Sequence, residues 1–348
     1  MWRRCCYSIC IPILISLLSN NLIIAKATES TQVILLPSQI EDRTCSAPDP
    51  NLNEKPIIGI LTHPGIGTFD AAHHHSMRYD KNVSYIAASY VKLAETGGAR
   101  VIPLIYNEPD ERLFQKLELV NGVIFTGGWA KEGLYYDIVE KIFNKVIEKN
   151  DAGEHFPVYA MCLGFEILSM IISHRRDILE RFNSVYYASS LQFIENANIE
   201  GTLFQRFSPE LLKKISTDCL VLQNHQFGIS PDTFQASPSL SSFFYILTTS
   251  ADKDGKTYVS TIRSKRYPVT AFQWHPEKNA FEWGSSEIPH SEDAIQVTQH
   301  AANYLVSEAR KSLNRPSHEE VLSHLIYNYK LTYSGYRGRG NDEAYIFT

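Results

Sequence analysis

From Pro56 onward, short apolar runs alternate with stretches of helical period. Residues 57–61 form an apolar run of strand length, and residues 84–95 read as a helix with Ser84 as N-cap and Gly97-Gly98 as its stop. Residues 101–104, 122–125 and 158–160 read as further strands, and residues 110–117, 135–148 and 163–172 as helices. Strands that are apolar on both faces and alternate with helices predict an α/β fold, a mostly parallel sheet flanked by helices. The pattern then changes. Residues 220–222, 244–248, 258–262 and 269–273 are short strands separated by polar turns such as Asp252-Lys253-Asp254-Gly255. That spacing suits antiparallel strands added in the C-terminal half. A last helix over residues 292–313 is stopped by Pro316.

The first 27 residues follow another rule. Arg3 and Arg4, an apolar run over residues 9–18 and the small-residue end Ala25-Lys26-Ala27 are the three parts of a secretory signal peptide. The run is shorter than the roughly 20 residues that span a bilayer. Residues 28–55, polar and carrying Pro37, Pro48 and Pro50, read as a flexible lead-in or pro-segment, and residues 56–348 as the folded domain. The expected destination is the secretory pathway: a vacuole or lysosome-like compartment, or the extracellular space, with no membrane attachment after the leader is removed.

Charge and cysteine usage narrow the chemistry. The chain has 33 Lys and Arg against 38 Asp and Glu, a net charge of −5, with no basic stripe of the kind a nucleic-acid partner requires. Three of its six cysteines lie in the leader, which leaves Cys45, Cys162 and Cys219, an odd number with at least one thiol unpaired within the chain. Cys219 opens an apolar strand and reads as core. Cys45 lies outside the fold and is placed to pair between chains.

Cys162 ends the strand Val158-Tyr159-Ala160-Met161 and stands directly before the helix that starts at Leu163. A strand, sharp turn and helix form a nucleophile elbow, which lifts a side chain out of the sheet to a helix N-terminus that favours anions. His275-Pro276-Glu277 follows the strand ending at Trp274, so a base and a carboxylate to orient it come together. Gly127-Gly128 follows the strand ending at Phe125-Thr126, where glycine lets a backbone N–H face a developing negative charge. His73-His74-His75 with nearby Asp70 reads as a solvated loop and not a metal site, because adjacent histidines do not converge on one ion. Asn82-Val83-Ser84 is a glycosylation sequon that overlaps a helix start.

Three ordered fragments, Phe125-Thr126-Gly127-Gly128, Cys162-Leu163-Gly164-Phe165-Glu166 and Phe272-Gln273-Trp274-His275-Pro276-Glu277-Lys278, resemble the class I glutamine amidotransferase-like (flavodoxin-like) fold. The strings from Tyr85 to Lys92, from Gly97 to Val101 and from Gln273 to Lys278, with Glu282-Trp283, are similar to the γ-glutamyl hydrolase family, and the likeness runs from about Pro56 to the C-terminus. The resemblance implies a cofactor-free, metal-free cysteine peptidase acting on a small-molecule substrate, the γ-linked chain of folylpolyglutamates. By the same resemblance Cys162 attacks the γ-carbonyl to form a thioester, and His275 carries the proton, with Glu277 as the acid. The N–H groups of Gly128 and Leu163 form the oxyanion hole. Glu166 contacts the α-ammonium of the γ-glutamyl unit, Tyr85 touches substrate, and His225 is a second active-site histidine for positioning or charge stabilisation. A homodimer is also implied.

The family elbow carries glycine where this chain has Ala160, so its methyl group is expected to crowd the strand–helix approach. That departure keeps a second reading open: a catalytically weak or inactive paralogue that binds folate or γ-glutamyl peptides. A glutaminase is the third reading.

Overall fold

On the central strands alternate residues are apolar in both directions, and each set is buried in a different core. Ile57 and Leu61 enter one core and Ile58 and Ile60 the other; Val123 and Phe125 oppose Ile124 in the same way. A sheet with two apolar faces must be covered on both. The computed structural model describes residues 47–65, 83–334 and 341–348. The expected leader, Cys45, Asp70, the three consecutive histidines and Asn82 therefore lie outside the described residues.

Asp49–Thr348 pack as one unit. It opens with β1 (Ile57–Leu61), β2 (His63–Pro64), β3 (Ser84–Ala87), α1 (Ala88–Thr96), β4 (Arg100–Leu104) and α2 (Asp110–Leu117). Then come β5 (Val123–Phe125), α3 (Gly133–Asp151), β6 (Val158–Met161), α4 (Leu163–Ser173), β7 (Glu180–Ser189) and β8 (Gln192–Phe193). The next part holds α5 (Pro209–Thr217), β9 (Val221–Gly228), α6 (Pro231–Ala236), α7 (Pro238–Phe243), β10 (Phe244–Ala251), β11 (Thr257–Ser264) and β12 (Val269–Phe272). The chain closes with α8 (Lys278–Phe281), α9 (Glu292–Arg310), α10 (His318–His324), β13 (Leu331–Tyr333) and β14 (Glu343–Phe347).

Eight strands form the main sheet in the order β4-β1-β5-β6-β12-β11-β10-β8. The first five are parallel, and β11, β10 and β8 continue it antiparallel, as the change of pattern predicts. Residues of α2, α3 and α4 cover one face, and residues of α1, α5 and α9 the other. A fully buried side chain of the Leu, Ile or Phe class contributes roughly 1.5–3 kcal/mol relative to an exposed one, so the two cores hold the frame rigid around the strand ends.

Four expectations are corrected. Residues 84–87 are not the start of a helix but the strand β3, because β14 pairs with them antiparallel, Phe347 opposite Ser84 and Tyr345 opposite Ile86. The predicted strand 220–222 continues as β9 to Gly228, since its polar residues are carried by a ladder to β7, an element without a clear apolar signal. Cys219 is exposed and not core; burial begins one residue later, at Leu220. The packed unit also starts ahead of Pro56: Asn53 is buried and its N–H donates to the Arg310 carbonyl at 2.6 Å, while Arg315 donates to the carbonyls of Pro50 and Leu52.

Candidate active site

The parallel register delivers three sequence motifs to one edge. Phe125 lies opposite Ala160 and Phe272 opposite Met161, so β5, β6 and β12 end side by side. Gly127-Gly128, Cys162 and His275 leave the sheet from those adjacent C-terminal ends, the crevice position of an open α/β sheet.

Cys162 has φ 50° and ψ −103°, an unusual backbone for a residue with a side chain, and it caps α4. Its N–H donates to the Phe272 carbonyl at 2.7 Å, and its carbonyl accepts from the Glu166 N–H at 3.0 Å. The strained turn is thus fixed from both sides. His275 is held as firmly: its N–H donates to the Leu222 carbonyl at 3.0 Å, and Thr298 Oγ1 donates to the Pro276 carbonyl at 2.7 Å.

His275 Nδ1 lies 2.8 Å from Glu277 Oε1, and both residues are buried. Burial by itself lowers the His275 pKa, but the Glu277 carboxylate and then Cys162 outweigh it and raise the value from 6.5 to about 9. Burial raises the Glu277 pKa, and His275 reverses that, so the carboxyl stays ionised. With Nδ1 given to Glu277, Nε2 is the ring atom left for the thiol. A Cβ placed on Gly127 would lie 3.0 Å from His275 Cε1 and 3.4 Å from Cys162 Cβ, so all three converge on one point.

The glycine loop is pinned by two residues that sequence reasoning did not single out. The Gly127 N–H donates to the Tyr90 hydroxyl at 2.8 Å. His63 Nδ1 lies 2.8 Å from the Pro64 carbonyl, which makes Nδ1 the protonated nitrogen, and Nε2 accepts from the N–H groups of Trp129 (3.0 Å) and Ala130 (3.2 Å). Burial lowers the His63 pKa to about 3, so this acceptor stays neutral. Leu163 is the first residue of α4, and its N–H has no acceptor within the helix. A Cβ on Gly128 would lie 2.3 Å from His63 Cδ2 and Nε2. Gly128→Ala is therefore expected to cost about 1–3 kcal/mol of stability and about 10²-fold in kcat as the loop shifts. Thermal unfolding and steady-state kinetics check both; parental values for both would show that the loop yields freely.

The remaining predicted residues surround this centre. Glu166, one turn after Cys162 on α4, is buried and forms an ion pair with Lys131 at 2.8 Å. Buried Gln273 lies beside it. His225 is buried on β9 with Nδ1 2.8 Å from the Phe227 carbonyl; its Nε2 has no hydrogen-bond partner among the described residues. Burial lowers its pKa to about 3, so it stays neutral and offers Nε2 as an acceptor. Tyr85 is one step removed, its ring centre 5.5 Å from that of the His63 ring in an edge-to-face contact. Among the described residues no cluster of three His, Cys, Asp or Glu is arranged to hold a metal ion.

Comparison with known proteins decides the family. The class-I glutamine amidotransferase family profile matches residues 77–291. A protein named probable gamma-glutamyl hydrolase 3 from Arabidopsis thaliana is 75% identical over the whole of both chains. Gamma-glutamyl hydrolase 1 of the same organism is 67% identical over 95% of each chain, and the Homo sapiens gamma-glutamyl hydrolase is 34% identical over 83% of this chain and 89% of its own. This chain belongs to the gamma-glutamyl hydrolase family.

In this family member, Ala160 is fully buried in β6, and the room for its methyl comes from Gly164: a Cβ built there would lie 3.2 Å from the Ala160 Cβ and 2.7 Å from the Phe125 carbonyl oxygen. Gly164 lets the helix approach the sheet closely, and Ala160 uses the same space. Of the unpredicted residues, His63 carried a signal, since it directly follows an apolar strand and its Thr62. Tyr90, Gln273 and Lys131 carried none, because nothing local distinguishes them from core or surface.

Proposed function

We propose that the protein hydrolyses the γ-glutamyl bonds of folylpolyglutamates with Cys162 as nucleophile. The observation that carries this is the buried His275–Glu277 pair directed at a thiol held on a strained elbow. Cys162 Sγ attacks the γ-carbonyl carbon, and the carbonyl oxygen takes the negative charge beside the N–H groups of Leu163 and Gly128. The tetrahedral species collapses as the His275 imidazolium gives its proton to the leaving amine, which leaves a thioester. Water then gives a proton to His275 and attacks the thioester; the C–S bond breaks, the carboxylic acid leaves, and Cys162 Sγ beside the His275 imidazolium is restored for the next cycle. Neutral His225 positions substrate through Nε2 and adds no positive charge. The leader pattern of residues 1–27 supports entry into the secretory pathway.

Purified protein and a Cys162→Ala control, incubated with pteroyl-pentaglutamate from acid to neutral pH, test the reading by mass spectrometry of the products. Shortened folates from the parent alone are expected, and the product ladder reports endo or exo cutting. Intact substrate bound to the parent would replace the hydrolase with the binding paralogue.

A further inference from the structure

The ion pair between Lys131 and Glu166 has a consequence for which γ-glutamyl groups fit. Lys131 lies on the loop of Gly127 and Gly128, its Nζ 2.8 Å from Glu166 Oε2 and 4.7 Å from the centre of the Phe227 ring. Its side chain is 23% exposed, open to a ligand, whereas Glu166 is 3% exposed. Glu166 follows Cys162 by one helical turn, so the pair is within a glutamyl unit's reach of the thiol. Both active-site histidines outside the catalytic pair, His63 and His225, feel the Lys131 charge.

The chemistry of the substrate makes that charge meaningful. In a pteroylpolyglutamate every glutamyl nitrogen is acylated. The unit that donates the scissile γ-carbonyl therefore carries an α-carboxylate and no ammonium. A lone Glu166 finds no cation in such a unit and would repel its carboxylate. A free-amine γ-glutamyl donor is the opposite case, since its ammonium would seek Glu166. The cation next to Glu166 here belongs to the protein.

We propose that Lys131 is a specificity-determining residue that neutralises Glu166 and receives the α-carboxylate of the N-acylated γ-glutamyl unit, so that the site selects acylated over free-amine γ-glutamyl groups. This rests on the hydrolase reading above and names the feature of the substrate that is read. Glu166 is then the positioning residue for Lys131, in place of the ammonium contact that the resemblance implies.

The test compares the parent, Lys131→Met, Lys131→Arg and the double variant Lys131→Met/Glu166→Gln on two substrates. These are pteroyl-pentaglutamate and γ-glutamyl-p-nitroanilide, whose glutamyl nitrogen is free. Lys131→Met is expected to raise KM for pteroyl-pentaglutamate about tenfold or more, the size of one lost charge pair, with a smaller change in kcat. The ratio of kcat/KM for the free-amine substrate over the acylated one is expected to rise by at least about tenfold as Glu166 is released. Lys131→Arg should keep the parental ratio, and adding Glu166→Gln should cancel the gain on the free amine. A parental ratio in Lys131→Met, or a parallel fall on both substrates, overturns the assignment of Lys131 while the hydrolase stands. A parent that leaves pteroyl-pentaglutamate intact overturns the hydrolase and this selection together.

Discussion

Cys162→Ala is expected to lower γ-glutamyl bond cleavage by at least about 10⁴-fold while the protein stays folded. Removal of a nucleophile that acts as one unit with its base has effects of this size, because the remaining groups have no covalent step to assist. The side chain is buried at the elbow and its removal leaves the backbone contacts to Phe272 and Glu166 in place. Substrate affinity should therefore persist, and equilibrium binding of pteroyl-pentaglutamate to the variant separates the loss of chemistry from loss of the site. A variant that binds and still cleaves at more than about a hundredth of the parental rate would show that the thiol is not the nucleophile.

Glu277→Gln is expected to lower kcat/KM by about 10²–10⁴-fold, the range seen when the carboxylate behind a catalytic histidine is neutralised. It should also move the pH profile. In the parent the His275 pKa is raised to about 9, so the imidazolium persists through neutral pH and activity that needs it falls as pH rises through about 9. Without the Glu277 charge only Cys162 is left to oppose burial, which lowers the value, so the alkaline limb should shift to lower pH. The same pair links stability to pH. A raised histidine pKa contributes stability that is full below about 6.5 and is lost as pH rises through about 9. The lowered Glu277 pKa contributes stability that is present above 4.5 and is lost as pH falls further. Thermal unfolding across pH should thus show the pair's stabilisation between these limits and its absence in Glu277→Gln. An alkaline limb that stays near pH 9 in the variant would assign the raised pKa to another partner.

The chemical motifs were legible because each is local. Cys162, His275 and Gly127-Gly128 stand at the C-terminal ends of apolar runs, and a short window of sequence contains the strand, the turn and the functional residue. The helix Asp110–Leu117 was also legible to the residue, since Pro109 precedes it and its apolar positions alternate at helical period. The segment 84–87 was not, because it is a strand only by virtue of β14 at the far end of the chain. Lys131 and His63 escaped for a related reason: the roles of both come from what they touch, and Glu166 and the Trp129 and Ala130 N–H groups are brought to them by packing.

The chain by itself determined the kind of fold, the parallel strands with helices on both faces, and the residue types able to do the chemistry, because hydrophobic period and strand-end motifs are written in neighbouring positions. Only the tertiary structure decided the order β5-β6-β12 that places the three motifs together, and the charge each histidine carries. His63, His225 and His275 are one residue type and all three are buried. Two face carbonyl oxygens and are held neutral by desolvation, while the third faces the Glu277 carboxylate and is held charged. Desolvation and Coulomb attraction depend on distance and on the exclusion of water, which the fold sets and no local stretch of sequence contains.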